Sequence, residues 1–165
     1  MQTIGIDIGT TTISGVVLEK NGTQEPRILE AKTIENGSFL TTTKDWERIQ
    51  DAEKIVKKSR QMLDDFLDKY PKVEKIGLTG QMHGIVYIDK EGKCVSPLYT
   101  WEDARGNLCE ENNGSLTEEI RQICSVQAPS GYGMVTHIYN LRHHLIPDTA
   151  CLLYTSPSPR DISGS

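Results

Sequence analysis

Basic residues are in short supply: 18 Lys and Arg stand against 23 Asp and Glu, for a formal net charge of -5. Nucleic acids and anionic membrane surfaces are usually met by a basic face, so neither is expected as a partner. Long apolar runs are missing too. No stretch approaches the roughly 18 residues of a membrane-spanning helix. The four cysteines, Cys94, Cys109, Cys124 and Cys151, form no CxxC or CxxH pair. Zinc-ribbon and dithiol chemistry are thereby set aside, and reduced thiols in a cytoplasmic protein are expected. The opening MQTIGIDIGT lacks the basic region and apolar stretch of a signal peptide. Without export, the sequons at Asn21, Asn36 and Asn113, each followed by glycine, read as turns rather than glycan sites.

Several catalytic signatures are absent as well. There is no GxxxxGK[ST] phosphate loop, and Gly131-Tyr132-Gly133 lacks both the third glycine and the preceding strand of a dinucleotide fingerprint. HExxH does not occur, and the adjacent His143 and His144 cannot share a helical face as metal ligands. No GxSxG elbow is present.

What remains is a chain of 165 residues, 36% hydrophobic, for which one domain with one lean core is the expectation. Thr3 to Ile8 and Thr12 to Leu18 alternate or branch as strands do, with Gly9-Thr10-Thr11 between them, and Arg27 to Ile34 follows the Asn21-Gly22 turn signal. A three-stranded meander is predicted. From Asp45 to Tyr70 apolar residues recur at three and four, including Ile49, Ile55, Val56, Met62, Phe66 and Leu67, which predicts one long helix closed by Pro71 and packed on the sheet. Val73 to Leu78 and Ile85 to Ile88 read as strands flanking a polar loop. Leu116 to Ser125 and Met134 to Leu145 read as weaker helices.

Asp7 ends a buried strand beside Gly9, Thr10, Thr11 and Thr12. Backbone N–H groups and hydroxyls in such a turn can converge on a phosphoryl group, and the carboxylate can hold a hydrated Mg2+. A capped hairpin, with Asp7 merely accepting turn N–H bonds, fits the same residues.

The segments IGIDIGTTTISGVVLE, GLTGQMHGIVYID and YTWEDARG occur in that order, followed by SGYGMVTHIYNLRHHL. Together they resemble the FGGY family of carbohydrate kinases, the first as its phosphate motif, the second as its sugar loop and the third as its W-x-D-x-R segment. GQMHG is similar to xylulokinase-like members and the last stretch to sedoheptulokinases. The resemblance spans residues 1–150. It implies an α/β, ribonuclease-H-like mixed sheet with flanking helices, of the actin, hexokinase and Hsp70 ATPase type, here truncated to part of the N-terminal lobe. It implies ATP and Mg2+ as cofactors, with Asp7, Gly9, Thr10, Thr11 and Thr12 on the phosphate and metal side. Along a ketose pocket it implies Gln81, Met82, His83, Trp101, Asp103, Arg105 and Tyr132. The family's general base and adenosine-binding lobe lie beyond residue 150, so the partners expected are sugar, ATP and the remaining lobe of the same chain. No turnover is expected from this chain alone. The competing expectations are a non-catalytic, nucleotide-gated member of the same fold and a stand-alone interaction module.

Residues 151–165, CLLYTSPSPRDISGS, are Ser- and Pro-rich without helical or strand period. CLLYTSPSPRD resembles one reading frame of a transposase-end sequencing adapter, so this tail is expected to be foreign to the fold and without regular structure.

Overall fold

The computed structural model describes residues 1–110 and 114–155. The chain divides into two compact units, Met1–Ser38 with Glu53–Gln81, and Phe39–Ala52 with the residues from Met82 onward. The single core expected from length is therefore two cores, each built from segments separated in sequence.

Unit 1 holds a four-stranded sheet ordered β3-β2-β1-β5. Strands β1 (Gln2–Ile8), β2 (Thr12–Glu19) and β3 (Arg27–Glu35) form the predicted antiparallel meander. After β4 (Ile49–Gln50), which belongs to unit 2, helix α1 (Ala52–Lys69) crosses over and delivers β5 (Val73–Gly80) parallel to β1. A parallel neighbour needs such a crossover, and a helix supplies it. Alternation along β1 and β2 sends Ile4, Ile6, Ile13 and Val17 to one face, where they bury against Met62 and Phe66 of α1. Gly15 lies on that face: a Cβ there would meet Phe66 Cε2 at 2.4 Å and Met62 Sδ at 2.7 Å. The helix approaches the sheet this closely only because the side chain is missing.

The predicted helix from Asp45 starts seven residues later than its apolar spacing suggests. Ile49 pairs with Tyr99 in β4 and joins the apolar cluster of unit 2, so strand pairing and packing override a spacing that a helix also fits. Ile55, Met62 and Phe66 are buried as expected, and Leu67 packs at the edge of the core. Val56 is 53% exposed, because it sits one position, about 100°, round from Ile55.

Unit 2 contains the sheet β10-β6-β7-β4, built from β4, β6 (Ile85–Ile88), β7 (Leu98–Tyr99) and β10 (Leu152–Thr155). Ile85, Tyr87 and Tyr99 form its apolar centre. A 3-10 turn at Arg105–Asn107 precedes the short ladder of β8 (Cys109–Glu110) and β9 (Gly114–Ser115). Helix α2 (Leu116–Cys124) begins on a capping box in which Ser115 and Glu118 satisfy each other's backbone N–H groups, and α3 (Gly133–Arg142) follows. No helix among the described residues is long and apolar enough to cross a membrane. The structure departs from the expectation of an irregular tail at Leu152–Thr155, which pairs antiparallel with β6. A four-residue Leu-Leu-Tyr-Thr run has strand propensity, and the edge of β6 presents unpaired backbone groups to receive it. The rest of the tail, 156–165, and the sequon at Asn113 lie outside the described residues.

Gly15→Ala is expected to destabilise the chain by about 1–3 kcal/mol, since the added methyl overpacks the α1 contact. Val56→Ala should cost under about 0.5 kcal/mol at its exposed site. Urea denaturation of the two variants checks this, and equal midpoints would contradict it.

Candidate functional site

In unit 1 the turn between β1 and β2 is held from several sides. The Gly9 N–H donates to the Thr12 carbonyl at 2.9 Å and closes the turn. A Cβ on Gly9 would sit 3.0 Å from that same oxygen, so the turn has little room for a side chain. The Gln81 N–H donates to the Ile8 carbonyl at 2.9 Å, and Thr10 Oγ1 donates to Gln81 Oε1 at 3.0 Å. Gln81, expected along a sugar pocket, is thus tied to the β1–β2 turn. Asn36 donates from Nδ2 to the Gly9 carbonyl at 2.7 Å and from its backbone to the Thr11 carbonyl at 2.8 Å. Asp7, at the end of β1, is exposed, as are Thr11 and Thr12. It stands beside Ser14 and Thr79 in the strand register and lines, with Thr33 and Gly77, a groove of about 490 Å³ on the sheet.

An exposed carboxylate flanked by hydroxyls is an all-oxygen donor set of the kind hard cations take. Among the described residues no three His, Cys, Asp or Glu side chains cluster closely enough to enclose a metal. A Mg2+ at Asp7 would accordingly complete its shell from phosphate and water. The residues fit such an ion.

In unit 2 three sequence motifs converge. His83 adopts a left-handed backbone, φ 68°, and its ring stacks on Tyr132 at 4.4 Å between centroids with 14° between planes. A non-glycine residue in that region carries a cost of order 1 kcal/mol, which the surrounding packing must outweigh. Gly84 lies so close to β7 that a Cβ would come within 2.7 Å of the Tyr99 carbonyl. Gly131 lies against Trp101, whose carbonyl oxygen a Cβ would approach to 1.7 Å. The loops 82–84, 99–101 and 130–132 are thereby locked to one another. They leave Met82, Trp101 and Tyr132 substantially exposed, at 37%, 51% and 41%. Next to Tyr132, a cleft of about 570 Å³ is lined by Asn107, Thr117, Arg121, Gln127 and Ser130, among others.

Asp103 and Arg105 stand elsewhere than on an open pocket wall. Both are 1% exposed. Arg105 Nε donates to Asp103 Oδ1 at 2.7 Å and Nη2 to Oδ2 at 3.1 Å, while Nη1 donates to Asn140 Oδ1. Glu47 adds an ion pair at 3.5 Å. The guanidinium lies 4.2 Å over the Tyr99 ring, with Trp46 and Tyr139 further out. Burial works against the Arg105 charge, but its hydrogen bonds and attraction to Asp103 outweigh this and hold its pKa above the usual range. Burial also pushes the Tyr87 and Tyr99 hydroxyls up, against Asn140 in the first case and Arg105 in both. Asp103 further accepts the Arg48 N–H at 3.1 Å, and Thr100 donates to the Arg48 carbonyl at 2.9 Å. The segment carrying Trp101 is anchored at both places to Arg48, the residue that precedes β4.

The sequence model of the N-terminal domain of the FGGY family of carbohydrate kinases matches residues 2–139. The chain belongs to the FGGY family. A sedoheptulokinase of Mus musculus is 26% identical over 161 residues, covering 86% of this chain and 33% of that protein. A xylulose kinase of Staphylococcus xylosus is 32% identical over 105 residues, 62% of this chain and 20% of that one. The crystal structure of a ligand-bound xylulose kinase from Lactobacillus acidophilus superposes with a TM-score of 0.74 at 18% identity, over 92% of this chain and 31% of the other. The fold of this FGGY chain is thus the actin- and hexokinase-like, ribonuclease-H-like one, and the chain spans about a third or less of the length of these relatives.

Within this FGGY domain, sequence reasoning missed Asn36, Glu47 and Asn140. The only signal at Asn36 was an Asn-Gly pair at the end of a strand, which reads as a surface turn, whereas Asn36 is wholly buried. Asp103→Ala is expected to cost about 3–5 kcal/mol, because it leaves a buried guanidinium without its main partner. Trp101→Ala should cost under about 1 kcal/mol at its half-exposed position. Chemical denaturation separates the two, and comparable losses would contradict the structural role of the ion pair.

Proposed function

We propose that this chain is the N-terminal portion of an ATP-dependent carbohydrate kinase that phosphorylates a ketose resembling sedoheptulose or xylulose. The observation that carries this reading is the juxtaposition of His83, Tyr132 and Trp101, drawn from three separate motifs, in unit 2. Met82, His83, Trp101 and Tyr132 would contact the sugar. An imidazole and a phenol direct hydrogen bonds to hydroxyls, while the indole and thioether cover sugar C–H groups. Asp103 and Arg105 would act one step back, by fixing the backbone that carries Trp101, and Gln81 would act by holding Thr10 in the phosphate turn.

On the phosphate side, Gly9, Thr10, Thr11 and Thr12 would cradle phosphoryl oxygens through N–H and O–H groups, with Asp7 orienting the hydrated metal. Mg-ATP, when bound, supplies the γ-phosphoryl group and the charge neutralisation on which phosphoryl transfer chiefly depends. The base that takes the proton from the attacking sugar hydroxyl is assigned to sequence that follows the FGGY N-terminal domain in the intact kinase. General-base catalysis contributes typically 10²–10⁴-fold and reactant positioning several kcal/mol more, so the 165-residue chain alone is expected to be inactive. Family membership and the sedoheptulokinase and xylulose kinase relatives support the substrate class.

In the intact kinase, His83→Ala is expected to raise the KM for ketose by about 10–100-fold through the loss of hydrogen bonds to a desolvated polyol, with the KM for ATP little changed. A coupled assay of ADP release on sedoheptulose and xylulose measures both constants. An unchanged ketose KM would overturn the assignment of His83, and the absence of turnover on any ketose would overturn the proposed reaction.

A further inference from the structure

Asn36 occupies a position that stability alone does not explain. Its side chain is completely buried at the end of β3, and Oδ1 has no hydrogen-bond partner among the described residues. Burying an amide with its oxygen unpaired is unfavourable, and an apolar residue of similar size would avoid that cost. What Asn36 does make is a pair of bonds to one object: Nδ2 to the Gly9 carbonyl and the backbone N–H to the Thr11 carbonyl. These two oxygens flank Thr10, so Asn36 grips the turn on both sides of its tip.

Asn36 is itself held from behind. Lys58 Nζ donates to the Glu35 carbonyl at 2.8 Å and to the Asn36 carbonyl at 2.7 Å, and Lys54 Nζ donates to the Gly37 carbonyl at 2.7 Å. Lys54 and Lys58 lie one turn apart on α1, so they face the same way and meet three successive carbonyls. Gly37, at φ 56°, lets the chain turn away immediately after Asn36. A rigid helix thus fixes the end of β3, and the end of β3 fixes the turn.

We propose that Asn36 is the positioning residue of the Gly9–Thr12 turn, backed by Lys58 and Lys54, and that it holds the turn N–H and hydroxyl donors ready for a phosphoryl group. The functional half of this inference rests on the phosphate reading of that turn. Preorganised donors act without reorganising when the anion arrives, and a positioning contact of this kind supplies that preorganisation.

Amide hydrogen exchange on the 165-residue chain, read residue by residue by NMR, tests the proposal. Asn36→Ala and Asn36→Asp are each expected to speed exchange of the Gly9 amide about tenfold or more, while the Ile4 and Ile6 amides keep their protection. The aspartate variant keeps the volume but turns an acceptor toward the Gly9 carbonyl, so a residue that only filled space would leave the turn unchanged there. Lys58→Met, at a partly exposed helix position, is expected to loosen the turn by a smaller factor and decides the matter if the Asn36 variants do not fold. Wild-type exchange at Gly9 in the aspartate variant, or in Lys58→Met should that variant be the one that folds, would overturn the positioning role. Titration with inorganic phosphate and Mg2+ should shift the Gly9 to Thr12 amides of the wild-type chain and do so more weakly in Asn36→Asp. Wild-type amides that do not move, in a turn that the variants still loosen, would overturn the phosphate reading and the functional half of the proposal with it.

Discussion

The buried guanidinium of Arg105 is the constraint around which unit 2 is arranged. A charge taken out of water is tolerated only when its donors are met, and here Asp103, Asn140 and Glu47 meet them while Tyr99 covers one face. Those partners come from the segment before β4, from β7 and the turn after it, and from α3. Satisfying one side chain therefore dictates where four stretches of chain must lie. Trp101 sits between Thr100 and Asp103, both tied to Arg48, so the backbone that carries the exposed indole is held on either side. The same stretches carry the backbone that Gly84 and Gly131 approach closely, which brings His83 and Tyr132 into a stack.

Unit 1 solves a different problem with the same economy. Its core is apolar and shallow, one helix on one sheet, and Gly15 lets the two approach closely. The β1–β2 turn is shaped by hydrogen bonds from Asn36 and Gln81, which reach it from the ends of β3 and β5. Loops that bind ligands are short and exposed, and rigid elements beside them supply the geometry. Both candidate sites in this FGGY domain follow that plan: exposed groups in front, buried polar anchors behind.

Much of the fold was legible in the sequence because local pattern decides it. Alternation around Ile4, Ile6 and Ile8 and the β-branched run after Thr12 predicted β1 and β2, and α1 showed its stripe through Ile55, Met62 and Phe66. The start of α1 was not legible: Trp46 and Ile49 continue a helical spacing, yet Ile49 pairs with Tyr99, fifty residues on. Two cores rather than one could not be read either, because each unit is assembled from discontinuous segments. In unit 2 the structure brings together His83, Trp101 and Tyr132 from three separate motifs, while the burial of Asp103 and Arg105 and their link to Asn140 in α3 had no signal in the sequence. Asn36 was invisible for a similar reason, since its meaning lies in a bond to Gly9 across 27 positions of sequence.

In the proposed kinase two recognition surfaces, one for phosphate around Gly9 to Thr12 and one for sugar around His83, Trp101 and Tyr132, would both be carried by this N-terminal domain. A crystal structure of the full-length protein with a ketose and a nucleotide bound together is the decisive measurement. Sugar hydroxyls are expected within hydrogen-bonding distance of His83, sugar C–H groups over Trp101, and phosphoryl oxygens facing the Gly9–Thr12 amides. A ketose bound away from all three aromatic residues, or a nucleotide whose phosphates do not touch the turn, would contradict this reading.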